Sequence, residues 1–331
     1  MNMISSPKEH TFGKKISGMG NNFSLLIAFA AICVMWSFTS PYFLSVDNFM
    51  NILLASSIVM IRASGATFAM ITGGMDISQN AVGAVSGIIC AQLAVAWGAQ
   101  GWVLFALILV SIGLGIAMGA ANSTLISIFK INPIITTLGT MQIFRGLAWV
   151  ISPRTIAIPN EALVTMGRGR FLDNTIPYSV VIAIAIFILA VWVLKYTTFG
   201  RKVFMVGGNE NASFLSGINA KKVKFIAYVL SAATAAFAGF LLTCQIGSAL
   251  PQSGAGTEMF TITAIILGGL SLSGGKGSLV GTFLGIMLLS TVNNGLTLLT
   301  VNEYVQMVIT GSILILAVLL DVIRSGALKK Q

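Results

Sequence analysis

The chain has 331 residues, of which 56% are hydrophobic and only 8% charged, with a formal net charge of +10. A soluble domain carries about 25% charged residues, so this composition excludes an ordinary soluble fold and indicates a polytopic membrane protein. A single histidine and three cysteines without CxxC spacing (Cys33, Cys90, Cys244) argue against a His/Cys metal centre, and cations scattered over loops do not form the stripe that binds nucleic acid.

In chain order, residues 1–21 form a polar tail carrying Lys8, Lys14 and Lys15, expected in the cytoplasm. The apolar run 23–38 is longer than a signal-peptide core and reads as a retained first helix. Ten apolar segments follow the spacing of transmembrane helices: 22–40, 49–72, 78–97, 101–129, 134–151, 177–196, 223–243, 259–272, 278–299 and 303–321. The eighth is the shortest and runs into Ser273-Gly274-Gly275-Lys276-Gly277, the pattern of a broken or re-entrant helix. The expected fold is an all-α transmembrane bundle over 22–322, with a polar loop at 197–222 and a tail at 323–331. With the N-terminus inside, fourteen of the nineteen Lys and Arg lie inside and three (Arg154, Arg168, Arg170) outside, while Arg62 and Arg145 fall within spans. This asymmetry favours ten spans with both termini cytoplasmic.

Glycine punctuates the bundle. Gly83/Gly87, Gly115/Gly119 and Gly277/Gly281/Gly285 are spaced for close helix approach, read as packing within the chain. The segments Ile71-Thr72-Gly73-Gly74-Met75-Asp76-Ile77-Ser78 and Ile266-Leu267-Gly268-Gly269-Leu270-Ser271-Leu272-Ser273 echo one another, as internal repeats of transporters do. Catalytic motifs are missing. Gly274-Gly275-Lys276-Gly277 has Leu270 and Gly277 where a phosphate loop needs Gly and Ser or Thr, and no nucleophile elbow or HExxH occurs. The chain therefore reads as a non-enzyme without a cofactor.

Polar residues within the apolar segments are the candidate pathway. Arg62 lies mid-span, where a guanidinium costs ~2.5–3.5 kcal/mol on insertion scales. It reads as a donor to solute oxygens or as half of an ion pair. Arg145 is nearer a helix end and reads as structural. Asp76 follows a glycine pair and reads as a local cap or gate hinge, with direct solute contact as the alternative. Asn122, Asn293 and Asn294 are suited to bonding between helices or to a hydroxylated solute. Met75, Met259 and Phe260 are candidates for an apolar gate, against the default that single apolar residues of a membrane protein are core.

The loop Thr198-Phe199-Gly200-Arg201 through Gly207-Gly208-Asn209-Glu210-Asn211-Ala212-Ser213-Phe214-Leu215-Ser216-Gly217-Ile218 has the make-up of a short amphipathic helix, with Phe214 and Leu215 for a partner's groove. At these residues the chain resembles the ribose/galactose/xylose-type permease subunits of bacterial ATP-binding-cassette importers. The resemblance extends to Gly73-Gly74-Met75-Asp76-Ile77-Ser78, Phe144-Arg145-Gly146, Glu258, Leu267-Gly268-Gly269, Asn293-Asn294-Gly295-Leu296 and Tyr304-x-Gln306-Met307. It implies an inner-membrane permease that imports a sugar-like solute, works as a homodimer or heterodimer, and receives solute from an extracytoplasmic binding protein. It also implies a separate ATPase docking at Gly208, Asn209, Glu210, Asn211, Ala212, Phe214, Leu215 and Gly217, and adds Ser78 and Glu258 to the pathway. Gln79 and Asn80, Met259-Phe260-Thr261 after Glu258, and Arg62 depart from the family pattern near that pathway. A branched-chain amino acid or furanose-like signal as solute, or ion-coupled secondary transport, are the competing readings.

Overall fold

The computed structural model describes residues 9–98, 100–172 and 175–325. The expected tail charges Lys8, Lys329 and Lys330 lie outside them. In chain order the elements are α1 (Glu9–Thr39), α2 (Val46–Ile71), α3 (Gln79–Trp97), α4 (Gly101–Ser123) continued by a π-helical turn (Thr124–Ile128), α5 (Pro133–Ile151), β1 (Ile156–Ala157), α6 (Glu161–Arg168), β2 (Arg170–Phe171), β3 (Ile176–Pro177) and α7 (Tyr178–Tyr196). There follow α8 (Thr198–Gly208), α9 (Glu210–Leu215), α10 (Ala220–Ile246), β4 (Ser248–Ala249), α11 (Glu258–Leu267), α12 (Leu279–Leu298) and α13 (Glu303–Ser325).

Each of the ten expected segments contains a helix, but among the described residues only seven are long and apolar enough to cross a membrane: α2, α3, α4 with its π turn, α5, α7, α10 and α12. The apolar stretches Phe23–Thr39, Glu258–Leu267 and Glu303–Leu319 are shorter. α1 begins at Glu9, ahead of the expected start at residue 22. α11 stops at Leu267 because Gly268 and Gly269 close it. The 197–222 loop, expected to hold one short amphipathic helix, holds two, α8 and α9, capped by Thr197 and Asn209 side chains that accept backbone N–H bonds from Gly200 (3.2 Å) and Ala212 (2.9 Å).

α10 is the central mast. It packs against α2, α3 and α4 through small residues. A Cβ on Gly239 would lie 2.2 Å from the Gly83 Cα, and one on Gly115 2.6 Å from the Ala233 Cα, so these backbones touch. The glycine series thus pack within the chain; Gly281 and Gly285 do the same against Gly268 and Ala264. One end of α10 is sealed by α6, whose Leu163 is fully buried. Arg168 there donates from Nε and Nη2 to the Gln245 and Ile246 carbonyls, the last acceptors of α10, which Gly247 ends in a left-handed conformation. The two-residue pairings β1–β4 and β2–β3, both antiparallel, brace the same end.

The two echoing segments close α2 and α11 in the same way. Gly73 N–H bonds to Met70 O (3.0 Å) and Gly74 N–H to Ala69 O (3.4 Å); Gly269 N–H bonds to Ile266 O (2.8 Å) and Leu270 N–H to Ile265 O (3.4 Å). Both are Schellman closures, with Gly73 at φ +88° and Gly269 at φ +86°. The backbone pairs Gly73 with Gly269, one residue out of step with the sequence echo.

Gly239→Ala should lower stability by about 3 kcal/mol through backbone collision. Gly113→Ala, whose Cβ meets nothing within 4 Å, should shift it by less than about 0.5 kcal/mol. Thermal unfolding of the solubilised protein reads both.

Candidate functional site

The break between α2 and α3 turns a run of polar side chains into the bundle. Asp76 is buried, and its Oδ1 accepts the Ser78 backbone N–H (3.1 Å) and hydroxyl (2.6 Å). Its Oδ2 accepts the Ser231 hydroxyl of α10 (2.7 Å). Asn122 of α4 donates to Ser78 Oγ (2.9 Å), and Gln79 donates to Ser231 Oγ (2.9 Å). The carboxylate is therefore held by three donors and ties α3 to α10. The Tyr228 hydroxyl and Asn122 Oδ1, both buried, have no hydrogen-bond partner. Gly74 is required here, since a Cβ would fall 2.1 Å from the Tyr228 hydroxyl. Met75 is half-buried beside this knot, and its carbonyl accepts the Thr137 hydroxyl (3.2 Å).

Asn80, adjacent to Gln79, faces a second cluster. Its Nδ2 donates to Gly254 O (2.7 Å) and Thr257 Oγ1 (3.0 Å), which leaves Oδ1 to accept from Arg62 Nη1. The segment that Asn80 holds is clamped from α5 as well. Arg145 Nη1 donates to Pro251 O (2.7 Å) and Ser253 O (2.9 Å), and its Nη2 lies 3.5 Å from Glu258 Oε1. Beside these groups is a cavity of about 330 Å³ lined by Arg62, Gln245, Gly254, Thr257, Phe260 and Thr261, with Ala55, Ile58, Val59 and Leu242 as apolar wall. Arg62, Arg145, Glu258 and Phe260 thus belong to one neighbourhood. Asn293 and Asn294 do not: Asn294 and Asn48 exchange amide bonds (2.8 and 3.0 Å) that lock α12 to α2, and Asn293 Oδ1 is buried without a partner.

Asn80, Gln245, Thr257 and Ser231 were not among the expected site residues. Only Asn80 had a signal, as a polar residue opening an apolar span; the others act through contacts distant in sequence.

At the opposite end from α6, α9 lies over a groove of about 880 Å³ lined by Lys130, Asn132, Phe214, Gly217, Lys221 and Lys224 among others. Phe214 and Leu215 are 74% and 86% exposed. Lys224 pairs with Glu210 at 2.5 Å, fastening α9 to α10. α8 ends on the α2 break. A Cβ on Gly207 would lie 1.7 Å from the Ile71 carbonyl oxygen, and that carbonyl accepts the Gly275 N–H at 2.8 Å. The termini of α2 and α8 and the loop after α11 therefore meet backbone to backbone.

A bundle with seven helices, among the described residues, long and apolar enough to cross a membrane, enclosing a largely apolar cavity into which Arg62, Gln245 and Thr257 bring polar groups, defines a multi-pass membrane protein. The chain belongs to the family described as the permease component of branched-chain amino acid transport systems, whose model matches residues 48–318. It is similar to the ribose import permease RbsC of Bacillus subtilis (strain 168), 40% identical over 88% of this chain and 89% of that one. It is also similar to the D-allose permease AlsC (32%; 88% of each chain) and the L-arabinose permease AraH (34%; 91% and 90%) of Escherichia coli K12. No solved structure matches it. The chain is a permease subunit of a sugar-type ABC importer, a multi-pass membrane protein of the bacterial inner-membrane kind and not itself a catalyst.

Ser231→Ala should destabilise the protein by about 1–3 kcal/mol, because it strips a donor from buried Asp76. Exposed Ser312→Ala should change stability by less than about 0.5 kcal/mol. Denaturation of both variants in one detergent makes the comparison.

Proposed function

We propose that the chain imports a polyhydroxylated, sugar-like solute, paired with a second permease copy or a similar permease. In this reading an extracytoplasmic binding protein delivers the solute, and a separate ATPase drives the cycle by docking on α9. The observation that carries the reading is the exposed Phe214–Leu215 pair on a short helix whose neighbour α8 abuts the α2 break. Such a pair suits a groove in a partner, and the backbone junction gives a direct route from that partner to the polar interior. Relatives named for ribose, allose and arabinose favour a sugar over the branched-chain amino acid in the family's description.

The same reading places ten helices across the bilayer, α11 as the short one, with α9 and both termini in the cytoplasm. Its support is the helix in each expected segment and the skewed distribution of Lys and Arg. Arg62, Gln245, Thr257 and Phe260 line the solute's path, and Asp76, Ser78 and Asn122 form the hinge beside it.

With the cognate ATPase and binding protein, Phe214→Asp/Leu215→Asp should cut ATP-driven sugar uptake at least ~10-fold, since burying an unpaired charge at a contact costs more than the 1.4 kcal/mol that a tenfold change represents. Permease abundance in the membrane should be unchanged, because both side chains are exposed. Normal uptake by the variant would remove α9 from the coupling role. For the topology, a single cysteine at position 202 should react with an impermeant maleimide only in inverted vesicles, and one at position 154 only in intact cells. The reverse pattern would overturn the orientation.

A further inference from the structure

Arg62 is a buried cation to which no carboxylate is bonded; Glu258 acts on it only through space and is paired with Arg145. Arg62 is 5% exposed, its Nη1 is committed to the neutral Asn80 amide, and its Nε has no partner. The carboxylates of this region are otherwise engaged: Glu258 pairs with Arg145, and both oxygens of Asp76 accept hydroxyl or amide bonds. The charges of Arg62, Arg145 and Glu258 sum to one positive, and of the three only Arg62 lines the 330 Å³ cavity. Removing a guanidinium from water without a counter-charge is unfavourable, and this guanidinium, whose Nε is buried without a partner, is the group that meets a carboxylate through parallel N–H bonds. The rest of the wall suits a small polyol: Thr257 and Gln245 offer polar groups, and Phe260 offers an apolar face.

We infer that the solute selected at this cavity is a sugar acid, whose carboxylate pairs with Arg62 and whose hydroxyls face Gln245 and Thr257. The inference rests on the importer reading and narrows its solute class from sugars to their carboxylates.

The test compares ribonate with ribose as probes, at matched ionic strength in sodium chloride, by displacement binding to the full-length permease in nanodiscs. Ribonate should bind at least ~10-fold more tightly than ribose, the ratio expected for a charge-assisted pair. Arg62→Gln should bring that ratio close to one, and Arg62→Lys, which keeps the charge, should retain part of it. Equal binding of the two probes to the wild type, or an unaltered ratio in Arg62→Gln, overturns the inference; so does displacement of ribonate by chloride alone. The wild-type comparison decides the matter even where Arg62→Gln fails to fold. ATP-driven uptake by the complete importer is followed in parallel. Uptake of ribose with no preference for ribonate sinks the sugar-acid assignment and keeps the importer reading. Preferential binding of ribonate with no uptake of any solute upholds the Arg62 site and sinks the importer reading.

Discussion

The hydrogen bond from the Gly275 amide to the Ile71 carbonyl is the contact on which the rest of the architecture turns. Lipid offers nothing to a freed backbone group, so the end of a membrane helix needs partners from protein or water. Here the loop after α11 supplies one for the end of α2. The approach is closer than any side chain permits: a Cβ on Gly274 would lie 2.8 Å from the Gly73 Cα, and one on Gly275 2.6 Å from the Gly208 Cα. Glycine on all three strands of chain is therefore a condition of the break, and the break in turn sets where α3 begins.

That starting point determines the chemistry of the interior. Gln79 and Asn80, consecutive residues at the head of α3, point to different neighbours. One completes the Asp76–Ser231 knot on α10; the other holds the 250–257 segment and Arg62. A shift of one residue at this point would take Gln79 from the Ser231 hydroxyl that supports Asp76, and would take from Arg62 the Asn80 oxygen that accepts its Nη1. The small-residue crossings along α10 oppose such a shift, because Gly83 and Gly239 fit only in the observed register.

Much of this was legible beforehand. Apolar segment length located the helices, since only that feature is dictated by the solvent rather than by neighbours. The polar residues Arg62, Asp76 and Asn122 stood out for the same reason. What was not legible depends on pairing across the chain. Nothing local distinguishes Asn294, which clamps α12 to Asn48, from Asn122, which serves the hinge. Ser231 and Gln245 lie on α10 at positions that a span tolerates without notice. The echo of the two glycine pairs signalled equivalent breaks, but Schellman closure is defined by hydrogen bonds to the preceding turn, so the equivalence is one residue out of step with the letters. In the 197–222 loop the short amphipathic helix bearing Phe214 and Leu215 was legible, whereas α8, capped by Thr197, was not.

Helix lengths divide the bundle into two kinds. At 1.5 Å per residue, the 19 residues of α3, α5 and α7 span about 29 Å, while the 26 and 27 residues of α2 and α10 span about 40 Å. A hydrocarbon layer of ~30 Å matches the first group end to end and obliges the second to lean or project. Bilayer thickness therefore bears unequally on the two kinds. A thicker membrane is met by α2 and α10 standing more upright, whereas α3, α5 and α7 have no length in reserve. The tilt of the mast against the bilayer is set partly by the lipid in which the permease resides.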